Sequence, residues 1–166
     1  YKIWPGLHIR DAEWDFVLQY LPPLNKWQNI TMLDAGATKS LFIYELARRG
    51  YYVTALDKEL YQEKIRHPNI RFTRRDLTLI QPGLHIYYDF ITCISVLEHI
   101  EVKEQYQALR HILDMLKPSG RLLLTIPTKE YAQGHDWQGF NFHWVMNAIA
   151  GLGIIIDYCE RKGQIC

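Results

Sequence analysis

Residues 30–59 read ITMLDAGATKSLFIYELARRGYYVTALDKE. Ile30, Met32 and Leu33 make a short apolar run that ends at Asp34. Residues 35–40 are small or polar. Residues 41–49 have helical composition, with Ile43, Leu46 and Ala47 on one side, and Gly50 suits the helix stop. Residues 51–56 are rich in β-formers and end at Asp57. Strand, tight turn, helix and strand together predict a βαβ unit with parallel strands. Ligands of such sheets sit at the carboxyl ends of the strands, which brings Asp34, Gly36 and Asp57 to one place. Asp57 stands 21 residues past Gly36, where a carboxylate can accept both hydroxyls of a ribose.

The rest of the chain bounds the class. At 166 residues, one domain with a sizeable core is expected. Hydrophobic residues make 48% and charged residues 22%, which is the composition of a globular chain. The net charge of +1 offers no electrostatic argument for nucleic acid or for an anionic membrane surface. No apolar run reaches membrane-spanning length and no signal peptide is visible. Cys93, Cys159 and Cys166 form no short metal-binding pattern and no disulfide framework, so a reducing, cytoplasmic setting is the expectation.

Before the βαβ unit, Trp4-Pro5-Gly6 signals a turn. Asp11 can cap a helix in which Trp14, Val17, Leu18 and Leu21 recur at helical spacing, and Pro22-Pro23 ends it. After the unit, residues 58–66 read as a short polar helix or turn stopped by Pro68, and residues 70–72 as a third strand. Asp76 comes next, beside Arg74 and Arg75. Residues 88–95, YDFITCIS, are the near-continuous run of a strand buried on both faces. Residues 96–100 open a helix, and Ser95 with Glu98 has the spacing of a capping box. His99 lies about one turn beyond the strand's carboxyl end, on the pocket side. Leu109, Ile112, Leu113 and Leu116 mark the core face of the next helix. Residues 117–120 read as a turn and 121–126 as a fifth strand. Residues 127–142, rich in Gly, Gln and aromatics, lie after that strand at its carboxyl end. Residues 144–150 read as a helix and 153–158 as a sixth strand.

These motifs resemble the class I S-adenosylmethionine (SAM)-dependent methyltransferases, in particular those acting on small molecules. The loop Leu33-Asp34-Ala35-Gly36-Ala37-Thr38-Lys39-Ser40 is similar to their first motif, with Thr38 and Ser40 in place of two glycines. YDFITCISVLEHI is similar to their fourth motif, and Leu-Lys-Pro-Ser-Gly-Arg-Leu-Leu-Leu to the stretch before their fifth strand. The resemblance covers residues 30–158 and implies a Rossmann-like, doubly wound, mostly parallel α/β sheet flanked by helices. It makes residues 1–166 one methyltransferase-like domain, with an N-terminal helical segment over 1–29 and a core over 30–158. Residues 160–166 are too short for the family's last antiparallel strand, which is expected to be missing or abbreviated. An unfilled slot beside the fifth strand predicts a longer natural chain or self-association through that edge.

The resemblance also implies roles. Asp34 lies near the methionine amino group, Gly36 under the methionine moiety, and Ser95 and Val96 flank it through backbone atoms. Asp57 takes the ribose. Asp76 and Leu77 meet the adenine, although Asp76 could instead be a solvated ion pair with its arginine neighbours. His99 and His135 are the candidate general bases, and Asp136, Trp137 and His143 could grip an acceptor. The N-terminal segment would cover the pocket, with Tyr1, Trp4 and His8 as contact candidates, unless it is only a packing helix. Ile94 stands where some quinone O-methyltransferases carry a third metal-binding carboxylate, so no metal is expected. The implied function is methyl transfer from SAM to a small-molecule acceptor, with S-adenosylhomocysteine as product. A non-catalytic SAM- or nucleotide-binding module on the same fold is the alternative. An NAD-dependent oxidoreductase would also use Asp57, but the sequence lacks G-x-G-x-x-G.

Overall fold

The computed structural model describes residues 7–24, 29–37, 40–59, 66–79 and 86–126. Five strands form one sheet: β1 (Thr31–Ala35), β2 (Tyr52–Asp57), β3 (Ile70–Arg74), β4 (Tyr88–Ile94) and β5 (Leu116–Thr125). Their spatial order is β3-β2-β1-β4-β5 and every pairing is parallel. The chain runs outward from β1 to β3, then returns to place β4 on the other side of β1. The strand order therefore reverses between β1 and β4, and the crevice at their carboxyl ends is where this architecture binds ligands.

Helices close both faces. α1 (Leu7–Tyr20) and α2 (Phe42–Arg48) cover one, and α3 (Val102–Asp114) covers the other. The two-residue period of β1 divides its apolar run between them: Met32 packs with Phe42 and Leu46, whereas Leu33 packs with Leu109 and Ile112. All six are fully buried. Trp14 of α1 stacks on Phe42 of α2 with ring centroids 5.3 Å apart. Gly50 ends α2 at φ +102°, a conformation that favours glycine.

Several sequence expectations change. α1 begins at Leu7, so Asp11 lies inside the helix rather than at its cap. The third strand continues to Arg74. Residues 117–120 are not a free turn: β5 begins at Leu116, and the register jumps from Tyr88↔Leu116 to Phe90↔Arg121. The segment between bulges out of the ladder, and Gly120 fits because a Cβ there would lie 2.8 Å from the Tyr88 carbonyl oxygen. At the amino ends of the strands, Asp89 accepts from Lys117 Nζ (2.7 Å), Thr31 N (2.9 Å) and Thr31 Oγ1 (2.8 Å). One carboxylate thus ties β4 to both of its neighbours. The polar helix expected over 58–66 falls largely outside the described residues. The expected helix over 144–150, the sixth strand and the final antiparallel slot lie wholly outside them, as does Thr38.

Candidate active site

The carboxyl ends of β1, β2 and β4 meet around Gly36. Its φ is +83°, and a Cβ built on it would lie 2.3 Å from Val96 Cγ2. Gly36 N and Ala37 N both donate to the Leu56 carbonyl, at 2.8 and 3.2 Å, which folds the loop over the end of β2. Ser40 does not need a glycine's freedom: its φ is not positive, and its hydroxyl accepts from Phe42 N at 3.1 Å, satisfying one amide at the start of α2.

Asp34 is buried and accepts from Thr92 Oγ1 at 2.6 Å. Burial pushes its pKa up to about 6; the Thr92 bond offsets part of this and the charge of Asp57 adds to it. Asp57 is 8% exposed at the end of β2, and its Oδ1 accepts from Glu59 N at 3.0 Å. Asp34 and Asp57 are therefore close enough to repel, at neighbouring strand ends.

Asp76 lies just past β3 and forms a local turn, its Oδ1 accepting from Thr78 N (2.9 Å) and Thr78 Oγ1 (2.8 Å). The Thr78 backbone bond, then its hydroxyl, hold the Asp76 carboxyl below the usual range. Among the described residues no ion pair joins Asp76 to Arg74 or Arg75; Arg74 Nε donates to the Lys58 carbonyl at 3.0 Å. Leu77 is buried, and its carbonyl meets His111 Nδ1 at 2.8 Å.

β4 ends abruptly. Ser95 has φ +50°, alone among the described non-glycine residues in being positive. Such a backbone costs about 1–3 kcal/mol and persists where surrounding structure holds it. Here Ser95 N donates to Thr125 O (3.1 Å) and Thr125 Oγ1 (3.2 Å). The capping box expected between Ser95 and Glu98 does not form. The next element is a short 3-10 turn, Leu97–His99, with no side-chain cap, and α3 starts separately at Val102. The Ser95 hydroxyl instead donates to Glu13 Oε1 of α1 at 2.5 Å. Thr125 Oγ1 donates to the same oxygen at 2.8 Å. Glu98 is 1% exposed, and neither carboxylate oxygen has a hydrogen-bond partner among the described residues. Burial pushes its pKa up to about 7; the nearby Glu98 amide offsets part of this, the charge of Glu13 adds to it, and the neighbouring Ser95 hydroxyl offsets a little more.

The structure thus brings Asp34, Gly36, Asp57, Ser95 and Val96 together at one edge, with Asp76 and Leu77 next to it beyond β3. His99 is exposed on the 3-10 turn. His135, Asp136, Trp137 and His143 lie outside the described residues, as do Tyr1 and Trp4; the side chain of His8 does too. Sequence reasoning missed Glu13 and Thr125. Glu13 belongs to no local motif; Glu98 was visible but assigned to a cap.

A parallel sheet with this strand reversal, and acids at the ends of its first three strands, defines a Rossmann-like α/β domain with a ligand crevice between β1 and β4. A model of the methyltransferase domain family matches residues 7–153, and the chain belongs to that family. It is 26% identical over 137 residues to the mitochondrial ubiquinone biosynthesis O-methyltransferase of Schizosaccharomyces pombe, covering 74% of this chain and 48% of that protein. It is 25% identical over 124 residues to the ubiquinone biosynthesis O-methyltransferase of Rickettsia akari, covering 70% and 49%. The chain spans about half the length of these curated relatives. Among solved structures, the N-methyltransferase NodS of Bradyrhizobium japonicum, in complex with S-adenosylhomocysteine, superposes with a TM-score of 0.69 at 15% identity over 89% of this chain and 76% of that one. A TehB-like SAM-dependent methyltransferase of Corynebacterium glutamicum gives 0.68 at 18% identity, over 85% and 71%. At these identities the likeness is one of fold. Among the described residues, no helix is long and apolar enough to cross a membrane.

Proposed function

We propose that this chain binds SAM in the crevice between β1 and β4 and transfers its methyl group to a small molecule. One observation carries the reading: two buried carboxylates, Asp34 and Asp57, flank a glycine whose backbone no side chain could occupy. Family membership and the curated relatives' names support the same reading.

The donor set suits this cofactor. SAM carries a cationic sulfonium and an ammonium, and the acids that line the strand ends complement both charges. When bound, the cofactor supplies an electrophilic methyl on sulfur. Asp57 would accept the two ribose hydroxyls, each a charge-assisted bond worth about 1.5–3 kcal/mol. Asp76 Oδ1 is committed to Thr78, leaving its other oxygen to accept from the adenine amino group, with Leu77 beside it. Asp34 would stay ionised beside the ammonium, while Ser95 and Val96 border the methionine part. The chain's remaining task is to hold the acceptor in line with the methyl–sulfur bond and keep water out, and orientation carries much of the rate. A general base is needed only when the nucleophile must lose a proton; His99 and His135 are the candidates.

The reading takes residues 1–166 as a single domain and places it in the cytoplasm. It allows self-association along β5, the outer strand of the described sheet. Size-exclusion chromatography with light scattering tests that last point. Calorimetric titration with SAM and with NAD tests the cofactor: SAM binding without NAD binding supports the proposal. NAD binding alone overturns it. SAM binding without methyl transfer to any acceptor would favour the non-catalytic module.

A further inference from the structure

Three elements converge beyond β4 and β5. Glu13 comes from α1, Ser95 and Glu98 from the turn after β4, and Thr125 from the end of β5. Two hydroxyls serve this group, and both give their proton to Glu13 Oε1. Ser95 lies beside Glu98 as well, but one hydroxyl has one proton to give. Glu98 is left 1% exposed with two oxygens unpartnered among the described residues, next to a second carboxylate. The Cys93 thiol is buried, and its burial together with the Glu98 and Asp34 charges pushes it up, so it stays neutral. A buried carboxylate in this position costs stability unless something completes it. Among the described residues both hydroxyl donors of the group go to Glu13, and no positive charge pairs with either carboxylate. An alkylammonium brings up to three N–H donors and one charge. Two carboxylates alone do not close the coordination of a divalent cation.

We infer that Glu98 and Glu13 form a binding subsite for an alkylammonium group, completed when a ligand seats between α1 and the carboxyl ends of β4 and β5. It rests on the methyltransferase reading only for the ligand's source: the ammonium is that of an amine acceptor, or the cofactor's own, which would then sit at Glu98 rather than beside Asp34. Glu98 supplies the unpartnered oxygens, and Glu13 adds charge while its hydroxyl contacts hold α1 over the subsite.

The test is calorimetry on the whole chain and on Glu98→Gln and Glu13→Gln. The titrants are S-adenosylhomocysteine, 5′-methylthioadenosine (the same adenosine thioether without the ammonium), n-butylamine with the nucleoside site saturated, and Mg²⁺. If the cofactor supplies the ammonium, Glu98→Gln weakens S-adenosylhomocysteine at least about tenfold, the loss of one charge-assisted bond. Methylthioadenosine affinity then stays as in the parent chain. If the acceptor supplies it, S-adenosylhomocysteine is unaffected and n-butylamine binding is lost in both variants. Glu13→Gln weakens S-adenosylhomocysteine less than Glu98→Gln does in the first case, and in either case it keeps the test open should Glu98→Gln fold poorly. Equal affinities for every titrant in parent and variants would overturn the proposal. So would Mg²⁺ binding that Glu98→Gln abolishes while both ammonium titrants are unchanged. Failure of the parent chain to bind either nucleoside would count against the methyltransferase reading instead, and n-butylamine titrated without nucleoside into parent and variants would then decide the subsite.

Discussion

A Cβ placed on Gly36 would lie 2.3 Å from Val96 Cγ2, so the loop after β1 and the turn after β4 touch with no room for a side chain between them. This contact holds together the two strand ends that border the crevice. Gly36 also has φ +83°, so two separate penalties attach to any replacement. Gly36→Ala should lower stability by at least about 1–3 kcal/mol from the backbone alone. Adding Val96→Ala should recover the steric part and leave the backbone part. Urea denaturation of the single and double variants measures both; full recovery in the double variant would mean that φ carries no cost here.

Asp57 is the residue on which ribose capture depends. Asp57→Ala should weaken SAM binding at least about tenfold, which needs only about 1.4 kcal/mol. The measurement is a calorimetric titration of the folded variant, and unchanged affinity would remove the assignment.

Glu98 and Asp34 make stability depend on pH in a direction opposite to that of a salt-bridged acid. Both have folded pKa values above their ordinary ones, about 7 against 4.5 for Glu98 and about 6 against 3.8 for Asp34. The folded state therefore binds more protons than the unfolded state across that window. Their contribution is fully present below pH about 4 and is lost as pH rises through about 6 and then about 7. Without ligand, melting temperature should fall from pH 5 to pH 8. Glu98→Gln should flatten the upper part of that fall and melt higher than the parent at pH 8, by on the order of 3 kcal/mol at most. Parallel melting-temperature profiles for parent and variant would contradict the assigned burial.

Asp89 lies at the opposite end of the sheet and separates stability from binding. Asp89→Ala strands the Thr31 amide and hydroxyl and unpairs Lys117. The cost should be about 1–3 kcal/mol in a denaturation experiment. SAM affinity should not change, because these groups sit at the amino ends of β1, β4 and β5, away from the crevice.

The sequence by itself determined the parallel sheet, the position of the crevice and most of the acids around it. These come from local rules. The apolar run ending at Asp34, the helix stop at Gly50 and the β-rich run ending at Asp57 are each written in a few adjacent residues, and a parallel pair puts both acids at one edge whatever the rest of the chain does. Where the local rules competed, sequence alone was misled. Ser95 and Glu98 have the spacing of a capping box, but the hydroxyl found a partner on α1 because β4 ends in a left-handed turn held by Thr125. Lys117-Pro118-Ser119-Gly120 has turn composition, but its lysine is drawn to Asp89 and the segment becomes a bulge in β5. Only the tertiary structure decided that Glu13 meets Ser95 across 82 positions and Thr125 across 112. No periodicity or motif encodes that meeting. It arises because the strand order carries β4 and β5 beside β1 while α1 packs across the same ends of the sheet, and that the Glu98 carboxylate has no partner among the described residues is a consequence of which of its two neighbours the single Ser95 proton reaches.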